Sequence, residues 1–197
     1  MLAVVASVGG QSNGGSRTSD EVSLKVETLK QTYAVGDDID FSITFKNKGV
    51  EKFLPGGFAL GRKRVWQSLE CGLIDEKRRE IRLDLYFGVT VVAGRLDPFA
   101  QHLRRDESYT LNVTKKDYVF IDSGAEGVNK YPRQLPAGGY KLQCAYKPKP
   151  WPGAKTLAVW EGDEFVQLWE RHPENLPKLW GGSAASDAYG FRVVKPK

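Results

Sequence analysis

Leu135-Pro136-Ala137-Gly138-Gly139-Tyr140-Lys141-Leu142-Gln143-Cys144-Ala145-Tyr146 decides the fold. A proline and two glycines break the backbone. Then Tyr140, Leu142, Cys144 and Tyr146 alternate with Lys141, Gln143 and the small Ala145. Successive side chains on a strand point to opposite faces, so one face here is apolar and the other mostly polar. The stretch predicts a central strand of an antiparallel β-sandwich, entered through a tight turn.

Other segments repeat this period. Val22, Leu24, Val26 and Thr28 mark a half-buried first strand, and Ala34-Val35-Gly36-Asp37-Asp38 a turn. Ile39, Phe41, Ile43 and Phe45 alternate with Asp40, Ser42, Thr44 and Lys46, and Asn47-Lys48-Gly49 ends that run. Val65 to Ile74 and Glu80 to Tyr86 predict two strands joined by the polar turn Asp75-Glu76-Lys77-Arg78. Ser108 to Val113 and the closing Tyr189 to Val194 predict two more. Lys52 to Gly61 reads as a glycine-rich loop. Residues 117–134 read as a loop holding the apolar patch Tyr118-Val119-Phe120-Ile121, and residues 87–97 show no assignable period. Pro148 to Gly153 must leave the sheet, because proline cannot donate to a ladder. Thr156 to Trp169 fits either a hairpin turning at Glu161-Gly162-Asp163 or a short helix starting near Asp163.

The sum is an all-β chain, an immunoglobulin-like antiparallel β-sandwich of about seven strands. Residues 1–21 read as a flexible leader or residual signal segment, and 22–197 as one domain. In that order the quoted strand is penultimate, faces Phe41, Ile43 and Phe45 across the core, and pairs with the closing strand. Residues 147–188 then form an insertion at one end of the sandwich, far longer than an ordinary hairpin loop.

Composition bounds the partners. With 41% hydrophobic and 27% charged residues in 197, the chain has enough apolar material for a core. The net charge of +5 is spread among acids: Arg78-Arg79 lies between Glu76 and Glu80, and Arg104-Arg105 runs into Asp106-Glu107. No basic stripe results, so nucleic acid is not an expected partner. No apolar run is long enough to span a bilayer. Met1 to Gly10 is either the tail of a secretory signal core or a start with no such role. Cys71 and Cys144 both fall at apolar-phase positions of strands. They are either buried thiols or, in an oxidising compartment, a bridge between two core strands. Two cysteines without CxxC spacing make no metal site, and no cofactor motif is present.

Tyr33-Ala34-Val35-Gly36-Asp37-Asp38-Ile39 with Phe45-Lys46-Asn47-Lys48-Gly49 resembles the opening of bacterial extracytoplasmic Ig-like domains. Arg105-Asp106-Glu107-Ser108-Tyr109-Thr110-Leu111 and Leu135-Pro136-Ala137-Gly138-Gly139-Tyr140 resemble their later landmarks. The intracellular proteinase inhibitor family of bacteria shares the same general pattern. The resemblance covers residues 22–147 and the last strand, and it implies an extracytoplasmic (periplasmic or secreted) location and no catalytic residue.

Phe120-Ile121-Asp122-Ser123-Gly124-Ala125 resembles the catalytic turn of retroviral-type aspartic proteases, which need two carboxylates sharing a proton. Leu179-Trp180-Gly181 is a loose candidate for the apolar pair and glycine that accompany it. Asp-Ser-Gly is also ordinary turn chemistry. His102 and His172 are expected in exposed loops, and no Gly-x-Ser-x-Gly elbow completes a triad. Asp37, Asp38 and Asp40 lack calcium-loop spacing and are expected as turn residues. Asn112-Val113-Thr114 matches a glycosylation sequon placed in a strand.

The insertion carries Trp151, Trp160, Trp169 and Trp180, at spacings of 9, 9 and 11 residues, together with Phe165. These indoles either form a satellite core holding the insertion or present a ligand-binding platform, and one or two exposed rings would do both. The expected function is a non-enzymatic binding or accessory module for a protein or polysaccharide. The alternatives are a proteinase inhibitor and an aspartic protease using Asp122.

Overall fold

The computed structural model describes residues 21–60, 63–85, 97–122, 134–149, 155–170 and 173–196. Among them the chain forms fifteen strands, two 3-10 turns and no α-helix. The first five strands are β1 (Val22–Thr28), β2 (Thr32–Ala34), β3 (Phe41–Asn47), β4 (Lys52–Leu60) and β5 (Lys63–Trp66). Then come β6 (Leu69–Asp75), β7 (Glu80–Leu85), β8 (Asp97–Leu103), β9 (Ser108–Val113) and β10 (Tyr118–Asp122). The last are β11 (Gly138–Tyr146), β12 (Thr156–Glu161), β13 (Glu164–Glu170), β14 (Ala184–Ala185) and β15 (Tyr189–Val194). The expected all-β class is the class the chain adopts. No helix among the described residues is long and apolar enough to cross a membrane.

The strands form three sheets. One has the order β1-β3-β9. A second runs β10-β7-β6-β11-β15-β2, with β14 added beside β11, and a third runs β13-β12-β8-β4-β5. The first two pack face to face: Phe45 on β3 meets Tyr146 on β11 edge-on at 5.5 Å, and Phe41 meets Tyr118 at 5.8 Å. The quoted strand lies inside the second sheet, between β6 and β15. Its alternation is reproduced in space, with Tyr140, Leu142, Cys144 and Tyr146 buried. The closing strand pairs with it antiparallel, Tyr140 opposite Phe191. Cys144 stands opposite Cys71 on β6, and the two are bonded as a disulfide with 4.1 Å between Cα atoms. The bridge therefore ties neighbours within one sheet.

Several expectations are corrected. Lys52 to Leu60 is a strand, because Pro55-Gly56-Gly57 marks a bulge: the register with β8 shifts between Pro55 and Gly57. Glycine is demanded there by close approach. A Cβ on Gly57 would lie 1.9 Å from the Val65 carbonyl oxygen, and one on Gly56 would lie 2.1 Å from the Phe99 ring. The single strand expected over 65–74 is two. The chain turns at Gln67-Ser68, where the Ser68 N–H donates to the Gly56 carbonyl at 2.9 Å, and passes from the third sheet into the second. The patch Tyr118–Ile121 is part of β10, paired with β7.

His102 is not in an exposed loop. It lies on β8, 7% exposed. That strand is flanked by β4 and β12, and every residue from Pro98 to Leu103 is buried. Burial on both faces erases the polar alternation that would reveal a strand. Pro98 sits second in β8, near the start of the strand, where a missing N–H is tolerated. His172 and residues 87–96 lie outside the described residues.

Trp66 lies where the sheets meet. Its indole stacks on Phe45 at 5.4 Å and on Tyr109 at 5.9 Å, and meets Phe99 edge-on at 5.1 Å. Buried side chains of all three sheets form one continuous cluster around it.

Candidate functional site

The insertion after β11 is built into the fold. Thr156 to Glu170 adopts the hairpin alternative, with β12 and β13 turning at Glu161-Gly162-Asp163. The positive φ of 53° at Gly162 suits glycine at that turn. β12 joins β8 in parallel, Ala158 opposite Phe99, so the hairpin widens the third sheet by two strands. The following segment folds back over that sheet. Leu176 and Leu179 pack with Trp169 and Phe53 on a small cluster of Ala100, Leu157 and Val159. The Trp180 N–H donates to the Phe53 carbonyl at 2.9 Å. β14 then returns to β11, where Ser186 Oγ accepts from the Cys144 N–H at 3.0 Å.

This placement separates the predicted indoles. Trp151 lies outside the described residues. Trp160 is 3% exposed, inside the main core, so it is a supporting residue and offers no surface contact. Trp169 is half-buried in the small cluster. Trp180 is half-buried and stacks on Tyr146 at 5.6 Å. The three described indoles therefore pack in three places. What the hairpin exposes instead is Phe165, at 53%, and Val166, at 48%, both on β13. Phe165 rests edge-on against Trp160 at 5.6 Å.

Charged groups fix the hairpin. The Arg64 guanidinium is nearly buried, lying 4.7 Å from the Trp160 ring and 5.3 Å from the Tyr109 ring. It donates to Gln101 Oε1 at 2.8 Å and to the Gly162 carbonyl at 2.7 Å, and it pairs with Asp163. A cation held against two aromatic faces with three of its donors bonded is a favourable way to bury an arginine. Burial pushes the Tyr109 hydroxyl up to about 12, against the favourable charge of Arg64. Fully buried Gln101 donates to the Trp160 carbonyl at 3.0 Å. The turn at Gly162 is thus tied to β5 and β8, and β13 is presented on a fixed support.

A second set closes the same end of the sheet. The His102 ring stacks on Phe53, with centroids 4.5 Å apart and planes 5° from parallel. Its Nδ1 bonds Glu161 Oε1 at 2.8 Å and its Nε2 bonds Glu51. Arg104 Nη2 donates to both Glu161 oxygens, at 2.9 and 3.0 Å. The hydrogen bond from His102, then the charge of Arg104, hold the Glu161 carboxyl below its ordinary value of 4.5. A depressed carboxylate stabilises the fold fully above the unfolded value and loses that contribution as pH falls through the folded one. The stability difference between the wild-type protein and Glu161→Gln is therefore expected to be constant well above pH 4.5 and to shrink progressively as pH falls from there through the lower folded value, in urea titrations at stepped pH. A difference that grows on acidification would contradict this linkage.

The remaining candidates are dispersed. Asp122 pairs through its backbone with Ile81 at the end of β10, while its side chain and Ser123 to Ala125 lie outside the described residues. Leu179 bridges Phe53, and Asp37 Oδ2 accepts from the Ala34 N–H at 2.9 Å as a turn residue. Among the described residues no group of three His, Cys, Asp or Glu is placed to hold a metal ion. No protein-family model and no curated protein matches the chain.

Proposed function

We propose that this protein is a non-enzymatic, extracytoplasmic binding or accessory module that engages a protein or polysaccharide partner through the β12–β13 hairpin. The observation that carries the reading is the adjacent pair Phe165 and Val166, exposed on the outermost strand of the third sheet. Single exposed apolar residues are common, but an exposed phenylalanine beside a valine, backed by Trp160 and braced by Arg64, costs water-exposed surface that a partner would recover. The Cys71–Cys144 bridge supports an oxidising compartment. The order β1-β3-β9 opposite β7-β6-β11-β15 supports an immunoglobulin-like origin for the first two sheets.

The test is a panel of immobilised polysaccharides and displayed peptides, probed with the wild-type protein and the double variant Phe165→Ser, Val166→Ser. Retention of the bound ligand should fall about tenfold or more in the variant, the scale of losing a central apolar contact. Leu29→Ser, which removes an exposed side chain between β1 and β2, should leave it unchanged. Equal retention by both variants would remove the hairpin from the site.

A further inference from the structure

A trough runs along β6 on the outer face of the second sheet. Its hollows of about 410, 550 and 870 Å³ adjoin one another: the first two share Glu70 and Arg82, and the last two share Ile74 and Glu80. Leu69, Cys71 and Leu73 of β6 are buried, so Glu70, Gly72 and Ile74 face outward and form the floor. The register sets the walls. Gly72 lies between Arg82 of β7 and Gln143 of β11, and Ile74 lies between Glu80 and Lys141. The Cys71–Cys144 bridge ties the floor strand to the β11 wall. This surface is separate from the β12–β13 hairpin, which belongs to the third sheet.

Gly72 is the informative residue. A glycine inside a strand weakens it. Gly56 and Gly57 are demanded by close neighbours, but Gly72 is not: a Cβ there would meet nothing nearer than the Ile81 carbonyl oxygen, at 3.4 Å, an ordinary contact. Its φ is not positive, and the ladders on both its sides run without a bulge. The remaining reason for a glycine in a strand is close approach from outside the fold. The charges say what approaches. Arg82 and Lys141 are exposed and form no ion pair among the described residues. Glu70 accepts from Lys147 Nζ at 2.7 Å, and that bond, with the charges of Lys147, Lys149 and Arg82, holds its carboxyl below its ordinary value. Glu70, Glu80 and Asp84 stand among these cations, so a dense polyanion such as nucleic acid is repelled where a sparser one is not. A sugar chain that bears carboxylates matches the whole trough. Its C–H faces rest on Gly72 and Ile74, its hydroxyls reach Gln143, and its carboxylates reach Arg82 and Lys141. We propose that the β6 trough binds an extended polysaccharide carrying uronic-acid carboxylates.

The probe is a fluorescently labelled hexamer of galacturonic acid, followed by anisotropy at low salt. The comparators are a neutral glucose hexamer, hexaglutamate and a single-stranded DNA hexamer. The galacturonate hexamer should bind about tenfold or more tightly than each of them, the scale of one charge-assisted hydrogen bond. Arg82→Ala with Lys141→Ala changes only exposed side chains and should weaken its binding about tenfold or more. Gly72→Val fills the floor with a residue that favours strands. Its urea midpoint should be held or raised while binding is lost. Full binding by folded Gly72→Val, or by the Arg82 and Lys141 variant, would overturn the proposal, as would no binding of the galacturonate hexamer at millimolar concentration. Equal binding of the glucose hexamer would show that no carboxylate is read, and equal binding of hexaglutamate or DNA would make the trough a general anion patch; either result overturns it. The Phe165→Ser, Val166→Ser variant should bind the hexamer as the wild type does. Loss there would place the sugar on the hairpin and overturn the trough as its site.

Discussion

Replacing Trp66 with alanine is expected to destabilise the protein by about 3–5 kcal/mol, the range for a large aromatic removed from a packed core. For a chain of this size that is a fall in Tm of about 10 °C. The figure follows from what the indole touches. Trp66 is 1% exposed and stacks between Phe45 of β3 and Tyr109 of β9, both in the first sheet, while Phe99 of β8 closes on it from the third. Phe45 in turn meets Tyr146 of the second sheet. The cavity left by alanine would lie under all three sheets, where no single strand can collapse into it. One feature works the other way: Trp66 Nε1 is buried without a hydrogen-bond partner among the described residues, and removing an unsatisfied donor recovers part of the loss. Trp66→Phe separates these effects. It keeps a stacked ring and deletes the orphan N–H, and is expected to cost about 1–2 kcal/mol. Urea unfolding followed by far-UV circular dichroism measures both variants. A loss below about 1 kcal/mol for Trp66→Ala would show that the three sheets do not share this core.

What the sequence displays is the half-buried strand. β3, β7, β11 and β15 each have one wet face, and their alternation is readable residue by residue. β8 is invisible to the same reading because Phe99 and Ala100, neighbours on opposite faces, are both fully buried. β4 is hidden because Pro55-Gly56-Gly57 looks like a turn. Those glycines answer to Phe99 and Val65, partners 43 and 8 residues away, and no local pattern announces them. The third sheet depends on such distant pairings, above all the parallel pairing of β12 with β8, which places Ala158 against Phe99.

The candidate site was legible in part for the same reason. Tryptophan clustering points to the segment that holds the β12–β13 hairpin, but a ring's size does not say which way it faces. The hairpin reading of Thr156 to Glu170 contained the answer: its turn at Gly162 brings Trp160 and Phe165 together as a cross-strand pair. Arg64 then draws the indole inward, and the phenylalanine is left outside. Arg64 lies 96 residues before Trp160, beyond any motif window. Within the basic run Arg62-Lys63-Arg64, nothing in the sequence marks Arg64 as the one that is drawn inward.

Removing the Cys71–Cys144 bridge, by Cys71→Ala with Cys144→Ala, is expected to cost about 4 kcal/mol, from the chain-entropy relation applied to its sequence separation of 73 residues. The closed loop contains β7 to β10, and with them Phe99 and Tyr109 of the Trp66 cluster. Releasing it therefore enlarges the unfolded ensemble of the segment that the core most needs. The native side loses less. The two positions are already held opposite each other by the ladder between β6 and β11, and the Cys144 backbone is bonded to Ser186 on both its N–H and its carbonyl. Stability should thus fall mainly through the denatured state, while the native spectrum of the double variant is retained. Access gives a second readout. Cys144 is fully buried and Cys71 is 4% exposed, so a reductant reaches the sulfurs only when β6 and β11 part. In native buffer, thiol alkylation after addition of dithiothreitol should be slow and should accelerate with urea in step with unfolding. Rapid reduction of the folded protein, or a double variant within about 1 kcal/mol of wild type, would mean that the bridge closes no segment that folding has to order.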